Sequence, residues 1–208
     1  GKGTDLETMW AAATDTLVEM RATDARRIRD WNAGEGQASP VQTYDRGAYV
    51  IETTLLPDWY WPLVFGAPIA DDVRRAFHDA WAPVLDRLMA DPNQTIVLRD
   101  YHSPNLLYMP ERNGAAHNTV GIIDFQDALI GHPAFDLVSL LQDARLDVAP
   151  DIEDRLYDRY MTAVRARDAS FDEAAFRYAY AALGAQRNTK ILGIFARLWK
   201  RDGKPHYL

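Results

Sequence analysis

The sequence contains no cysteine. That excludes a disulfide framework and any thiolate zinc site. No apolar run approaches the ~18 residues that a membrane span needs. The opening residues "GKGTDLETMW" have no hydrophobic core of the secretory kind, so the expected location is the cytoplasm. There is no internal repeat and no low-complexity tract. No G-x-S-x-G elbow marks a serine hydrolase. Five histidines are present, but none pairs as H-x-x-x-H, which argues against a histidine metal site of the hydrolytic kind.

Positive charge is also short. The formal net charge is −7. Residues 186 to 204 hold six lysines and arginines against Asp202, a local +5, so the remainder carries −12. An acidic body repels phosphate backbones and disfavours nucleic acid as a partner. It suits a cationic ligand, or simply solubility.

The rest is an ordinary globular composition: 48% apolar and 25% charged over 208 residues, enough for one full core. Leu6, Met9, Trp10, Ala13, Leu17 and Met20 recur at helical spacing and predict a helix over 5–30. Residues 32–48 are rich in Gly, Ser, Pro and Asn and read as a loop. The aromatic stretch 49–66 carries two prolines and reads as a broken helix or a packed irregular segment. A second amphipathic helix follows over 71–90, with Pro83 expected to kink it.

Then the period changes. "TIVL", "NLLYM" and "TVGIID" are short, apolar and partly β-branched, the mark of strands. "ERNGAAHN" between the last two holds an Asn-Gly turn signal. Helices are predicted again at 134–144, 151–167 and 171 to about 200, the last with Ser170 and Glu173 as a capping box. The fold class is therefore mainly α with a small β hairpin cluster.

The chemistry gathers on the loops of that cluster. In "VLRDYHSPNLLYM", Asp100 and Asn105 are separated by four residues as D-x-x-x-x-N, and Asp124 ends the strand "VGIID". Oxygen groups of this kind suit phosphoryl transfer. Mg²⁺ takes oxygen ligands, often one or two from the protein. Asn105 offers an amide oxygen and Asp124 a carboxylate, while Asp100 is placed to take the proton of an attacking hydroxyl.

The blocks "VLRDYHSPNLLYM" and "GIIDFQDALIGHPAFDLVSLLQD" resemble the aminoglycoside phosphotransferase and choline kinase family, relatives of protein kinases, whose pattern is H-x-D-x-H-x-x-N, then I-D-[FW], then G-x-P-x-x-D-L. The tail "QRNTKILGIFARLWKRDGKPHYL" is similar to a narrower branch, the bacterial cell-wall amino-sugar kinases, which act on N-acetylmuramate and N-acetylglucosamine. The resemblance implies an ATP- and Mg²⁺-dependent kinase with Asp100 as base and Asn105 and Asp124 as metal ligands. It implies that Asp136 braces the catalytic loop through backbone N–H groups and that His102 shapes it. The acceptor would be an amino sugar or another small alcohol. Glu52, Asp58, Trp59 and Arg187 are candidates to bind it, with a packed aromatic core as the alternative for that segment.

Two departures stand out. Leu98 occupies the place where the family has histidine. No glycine-rich loop after a strand and no V-A-I-K-like lysine is present; "NAGEGQ" and "GKGT" lack the flanking elements. The resemblance thus implies that residues 1–208 form the C-terminal lobe of a protein-kinase-like fold, without its nucleotide-binding lobe and with negligible transfer on its own. A non-catalytic pseudokinase or a small-molecule binding module is the alternative.

Overall fold

The computed structural model describes residues 5–23, 41–110, 112 and 119–205. The expected turn at 111–118 apart from Arg112, the glycines of 32–37, the "GKGT" start and the far end of the predicted first helix lie outside these. The architecture is mainly helical with small antiparallel strand pairs, in the order α1 (Leu6–Arg21), α2 (Arg46–Leu55), a π-helical turn (Leu56–Tyr60), α3 (Trp61–Phe65), α4 (Asp71–Met89), β1 (Thr95–Val97), a 3₁₀ turn (Ser103–Asn105), β2 (Leu106–Tyr108), β3 (Val120–Ile122), β4 (Leu129–Gly131), α5 (Ala134–Leu141), α6 (Pro150–Arg167) and α7 (Glu173–Asp202).

The chain falls into two compact units: Gly1–Thr43 with Asn93–Tyr180, and Tyr44–Pro92 with Ala181–Leu208. In the first unit α5 is the centre. All eight of its residues are buried. It packs between α1 and α6, which also pack on each other. Apolar side chains of α1 (Trp10, Ala13, Leu17), α5 (Phe135, Leu137, Val138, Leu141) and α6 (Leu156, Met161, Val164) form the core. Outside it, bidentate pairs join Arg155 to Glu7 and Arg159 to Asp15. Such exposed pairs set the register of the two helices and add little free energy.

The strands form two separate two-stranded sheets. β2 pairs antiparallel with β3, Leu106 opposite Ile122. β1 pairs with β4, Val97 opposite Leu129. β4 was not expected from the sequence: "ALIG" is too short to show a period. So the strands on either side of the polar turn at 98–105 belong to different sheets, and the turn carries the chain from one to the other.

In the second unit α2 is capped by Asp45, whose carboxylate accepts from the Ala48 N–H at 2.8 Å. Helix therefore begins at Arg46, inside the span predicted as loop. The aromatic stretch is a broken helix in which prolines set the break. Pro57 has no N–H, and the Leu56 N–H serves the Thr53 carbonyl instead. The wide turn then closes through Trp61 N–H to the Leu56 carbonyl. α4 runs unbroken through Pro83, which is exposed.

The predicted capping box of α7 is not formed. The Ser170 hydroxyl donates to Asp168 at 2.6 Å. Asp172 takes the cap, accepting from the Ala175 N–H at 2.9 Å. Aspartate sits directly before the first helical residue, where its carboxylate reaches the third N–H; Ser170 lies too far upstream.

Candidate active site

β1 delivers the chain into the first unit's core, with Val97 fully buried and Leu98 nearly so. Two consecutive backbone groups then need partners. Asp136, 2% exposed in the first turn of α5, supplies both: its Oδ2 accepts from the Leu98 N–H at 2.7 Å and its Oδ1 from the Arg99 N–H at 3.0 Å. Buried N–H groups and a buried carboxylate satisfy one another. Leu98 uses its amide here, and its side chain joins the core.

Arg99 is turned into the left-handed region, φ 69°. Among the described residues the only other non-glycine with positive φ is Asp124, φ 59°. Such conformations cost about 1 to 3 kcal/mol each and collect at functional sites. Here each reverses the chain, one immediately before Asp100 and one at Asp124 itself.

Beyond Arg99 the turn is tied down at every step. Tyr101 is buried and its hydroxyl donates to the Ala13 carbonyl at 2.9 Å. Burial, with the nearby Asp136 carboxylate, pushes its pKa far up, so it stays a neutral donor. The His102 N–H donates to the Asp100 carbonyl at 3.0 Å. The His102 ring is buried, with Nε2 3.9 Å from Asp100 Oδ1. The Ser103 N–H donates to Asp143 at 3.0 Å, and Trp10 Nε1 to the Ser103 hydroxyl at 3.3 Å. Asp143, buried, also accepts from the Arg145 N–H.

Asn105 closes the constellation. It lies just before β2 and Asp124 lies two residues after β3, so the β2–β3 pairing brings them together. The Ile123 N–H donates to the Asn105 carbonyl at 3.1 Å. The Asn105 amide nitrogen donates to the Asp100 carbonyl at 3.0 Å and to Asp124 Oδ2 at 3.4 Å. Its nitrogen thus spent, Asn105 has its amide oxygen left to offer a cation. Asp124 also accepts from Gln126 Nε2 at 2.6 Å. Asp100 and Asp124 are exposed, as is Asp127 beyond them.

Among the described residues no cluster of three or more His, Cys, Asp or Glu could hold a metal. The donors present, one amide oxygen and one exposed carboxylate, fit a hard cation that keeps water and takes further oxygens from a phosphate.

The other candidates belong to the second unit. Glu52 is buried and accepts from Tyr44, from Gln186 Nε2 at 2.9 Å and from Lys190 Nζ at 2.7 Å. Burial pushes its carboxyl up, but the Lys190 ammonium and the donated hydrogen bonds outweigh that and hold it below the usual carboxylate range. Arg187 is buried beside this cluster in sequence. Asp58 is exposed and pairs with Arg74 at 2.6 Å; Trp59 is half-buried.

Several partners were not singled out from the sequence. Asp143, Tyr101 and Trp10 hold the turn through contacts remote along the chain, and no local pattern marks them. Gln126 is legible as a polar neighbour of Asp124. Lys190 and Gln186 stand four residues apart on α7, a one-face spacing that points to a shared partner.

Residues 3–181 match the sequence pattern of the phosphotransferase enzyme family APH. The chain is 38% identical to an N-acetylmuramate/N-acetylglucosamine kinase of Caulobacter vibrioides, over 99% of this chain and 53% of that protein. It is 35% identical to the kinase of the same name from Neisseria meningitidis, over 79% of this chain and 47% of that protein. For the Pseudomonas putida counterpart the identity is 32% over 82% and 48%. The chain spans about half the length of the curated relatives it matches.

Proposed function

The chain belongs to the phosphotransferase enzyme family, and from that premise we propose that it carries the catalytic turn of an ATP-dependent kinase that phosphorylates a hydroxyl of an amino sugar. The observation that supports this most directly is the Asn105 amide, which bridges the Asp100 backbone and the Asp124 carboxylate across two loops. It ties the residue assigned here as base to the two assigned here as ligands, and supports their acting together.

In this reading the Asp100 carboxylate faces the acceptor hydroxyl. As the hydroxyl oxygen forms its bond to the γ-phosphorus, the bond from that phosphorus to the β-phosphate oxygen breaks and ADP leaves. The hydroxyl proton passes to Asp100. Asn105 and Asp124 would hold the Mg²⁺, which when bound would offset phosphate charge. His102, with Nε2 3.9 Å from Asp100 Oδ1, shapes the turn, and Asp136 fixes the approach of the chain.

The amino-sugar acceptor rests on the names of the relatives, which are N-acetylmuramate/N-acetylglucosamine kinases. Asp58 and Trp59, with exposed surface, offer a carboxylate for hydroxyls and an aromatic face for a sugar ring. Glu52 and Arg187 are both buried, and the Glu52 carboxylate is taken up by Tyr44, Gln186 and Lys190.

The test is ATP-dependent phosphorylation of N-acetylglucosamine and N-acetylmuramate by the protein carrying this chain. Transfer is expected, with Asp100→Asn lowering kcat at least about 100-fold. Unchanged turnover in that variant would refute the assigned base. Failure to phosphorylate either sugar, with activity on another alcohol, would refute the acceptor and leave the site standing.

A further inference from the structure

Most backbone N–H groups of the polar turn are spent inside it. That of His102 goes to the Asp100 carbonyl at 3.0 Å, and that of Asn105 to the His102 carbonyl at 2.9 Å. With the Asn105 side chain on the Asp100 carbonyl, these bonds close the turn on itself. They fix its shape and not its place. Pro104 has no N–H to give. The Ser103 N–H leaves the turn and donates to Asp143 Oδ2 at 3.0 Å, 40 residues along the chain.

Ser103 opens the 3₁₀ turn, so its N–H is one that the turn itself leaves unbonded. The residue before it would ordinarily bring the acceptor. That residue is His102, extended at φ −138° and ψ 164°, and its side chain makes no cap bond. An aspartate at 102 would serve, but would set a second negative charge close to Asp100. Asp143 brings the acceptor from elsewhere, buried just past the end of α5. Its other oxygen accepts from the Arg145 N–H at 2.9 Å, a local bond that aims the carboxylate.

The chain is held on the other side of Asp100 as well. Asp136 takes the N–H groups of Leu98 and Arg99. Ser139, fully buried one turn further along α5, donates to the Arg99 carbonyl at 3.4 Å. Both backbone groups of Arg99, the left-handed residue ahead of Asp100, are thus engaged. Asp100 hangs between two anchored neighbours, Arg99 and Ser103, with its own carboxylate exposed.

We propose, resting on the phosphotransferase reading above, that Asp143 is a positioning residue for the transfer. By holding the Ser103 N–H it sets where the turn sits, and through the turn where the Asp100 carboxylate meets the acceptor hydroxyl. A displacement of about 1 Å at a reacting group can cost on the order of 100-fold in rate.

The test is a double-mutant cycle in the protein carrying this chain. Asp143→Ala should lower kcat about 10- to 100-fold with KM for the sugar held, at a temperature where circular dichroism shows it folded. In the Asp100→Asn background the same change should cost less than about twofold, because no base is left to place. Losses that multiply in full would overturn the proposal, since a merely structural role acts whatever stands at position 100. An unchanged kcat in Asp143→Ala would overturn it too. Should Asp143→Ala not fold, the isosteric Asp143→Asn, which keeps one acceptor for two N–H groups, carries the same cycle and the same two outcomes. Hydrogen exchange on this chain gives a readout free of catalysis. Asp143→Ala should speed exchange of the Asn105 backbone amide roughly tenfold and leave α6 amides unchanged. Exchange at Asn105 that does not move would show the turn sits without Asp143. If Asp100→Asn alone has no effect on rate, the assigned base fails, and the exchange result still decides whether Asp143 places the turn.

Discussion

Each unit is organised around a buried carboxylate, and the two are satisfied by different kinds of partner. Asp136 in the first unit takes two backbone N–H groups. Glu52 in the second takes three side chains, from Tyr44, Gln186 and Lys190. Backbone donors make Asp136 a determinant of main-chain path: it dictates where Leu98 and Arg99 run, and so where Asp100 emerges. Side-chain donors make Glu52 a clamp between α2, α7 and Tyr44, two residues before α2, with no loop to shape. Asp100 and Asp124 contrast with both, for they are exposed and keep oxygens available.

The sharpest way to break the comparison is to remove each carboxylate's partnership in turn. Asp136→Ala leaves the buried Leu98 N–H and the part-buried Arg99 N–H without their acceptor, and roughly 3 to 5 kcal/mol of stability should be lost in denaturant titration. Phosphoryl transfer should fall further than stability alone accounts for, because the turn loses its anchor. Lys190→Met leaves the Glu52 carboxylate buried without its cation, at a cost of about 2 to 4 kcal/mol at neutral pH.

The pH dependence sharpens it further. The folded pKa of Glu52 is depressed, so its contribution is present above the ordinary 4.5 and lost as pH falls through the lower folded value. In Lys190→Met burial, the largest influence, is opposed only by the Tyr44 and Gln186 hydrogen bonds, so the folded pKa rises and the sign reverses. That variant should gain stability as pH drops toward 4.5, where unaltered protein does not. Urea midpoints between pH 4 and 7 separate the two slopes.

Gly193→Ala probes the packing behind the clamp. A Cβ there would meet the Leu55 carbonyl carbon at 2.3 Å and its oxygen at 2.5 Å. Backbone cannot yield as a flexible side chain can, and about 1 to 3 kcal/mol should be lost. The smallest effect is expected from Trp10→Phe, which deletes one hydrogen bond to Ser103 and about 1 kcal/mol, measured by thermal melting.

The sequence exposes these two regions unequally. The proposed catalytic turn is nearly all local: Asp100, His102 and Asn105 fall within six residues, between apolar runs that periodicity marks as strands, and the family resemblance assigns their roles. Asp124 follows from a strand end. What joins them is non-local. β4 is three residues with no alternation to detect, and its pairing with β1 cannot be read from either strand. Asp143 reaches the turn from the far end of α5. The Glu52 clamp depends on residues 134 and 138 positions away, and a glutamate in an aromatic run gives no sign of its partner. The cap of α7 was misplaced for a local reason, since Asp168 attracts the Ser170 hydroxyl and Asp172 lies nearer the first turn.

The account turns on Asn105 and Asp124 acting as one ligand pair beside Asp100. Nuclear magnetic resonance of this chain during titration with Mn²⁺, a paramagnetic stand-in for Mg²⁺, tests that directly. Broadening should begin at the Asn105 side-chain amide and the backbone signals of Asp124, and Asp124→Ala should abolish it at both. Broadening that starts elsewhere, or that persists around Asn105 without the Asp124 carboxylate, would contradict the shared site.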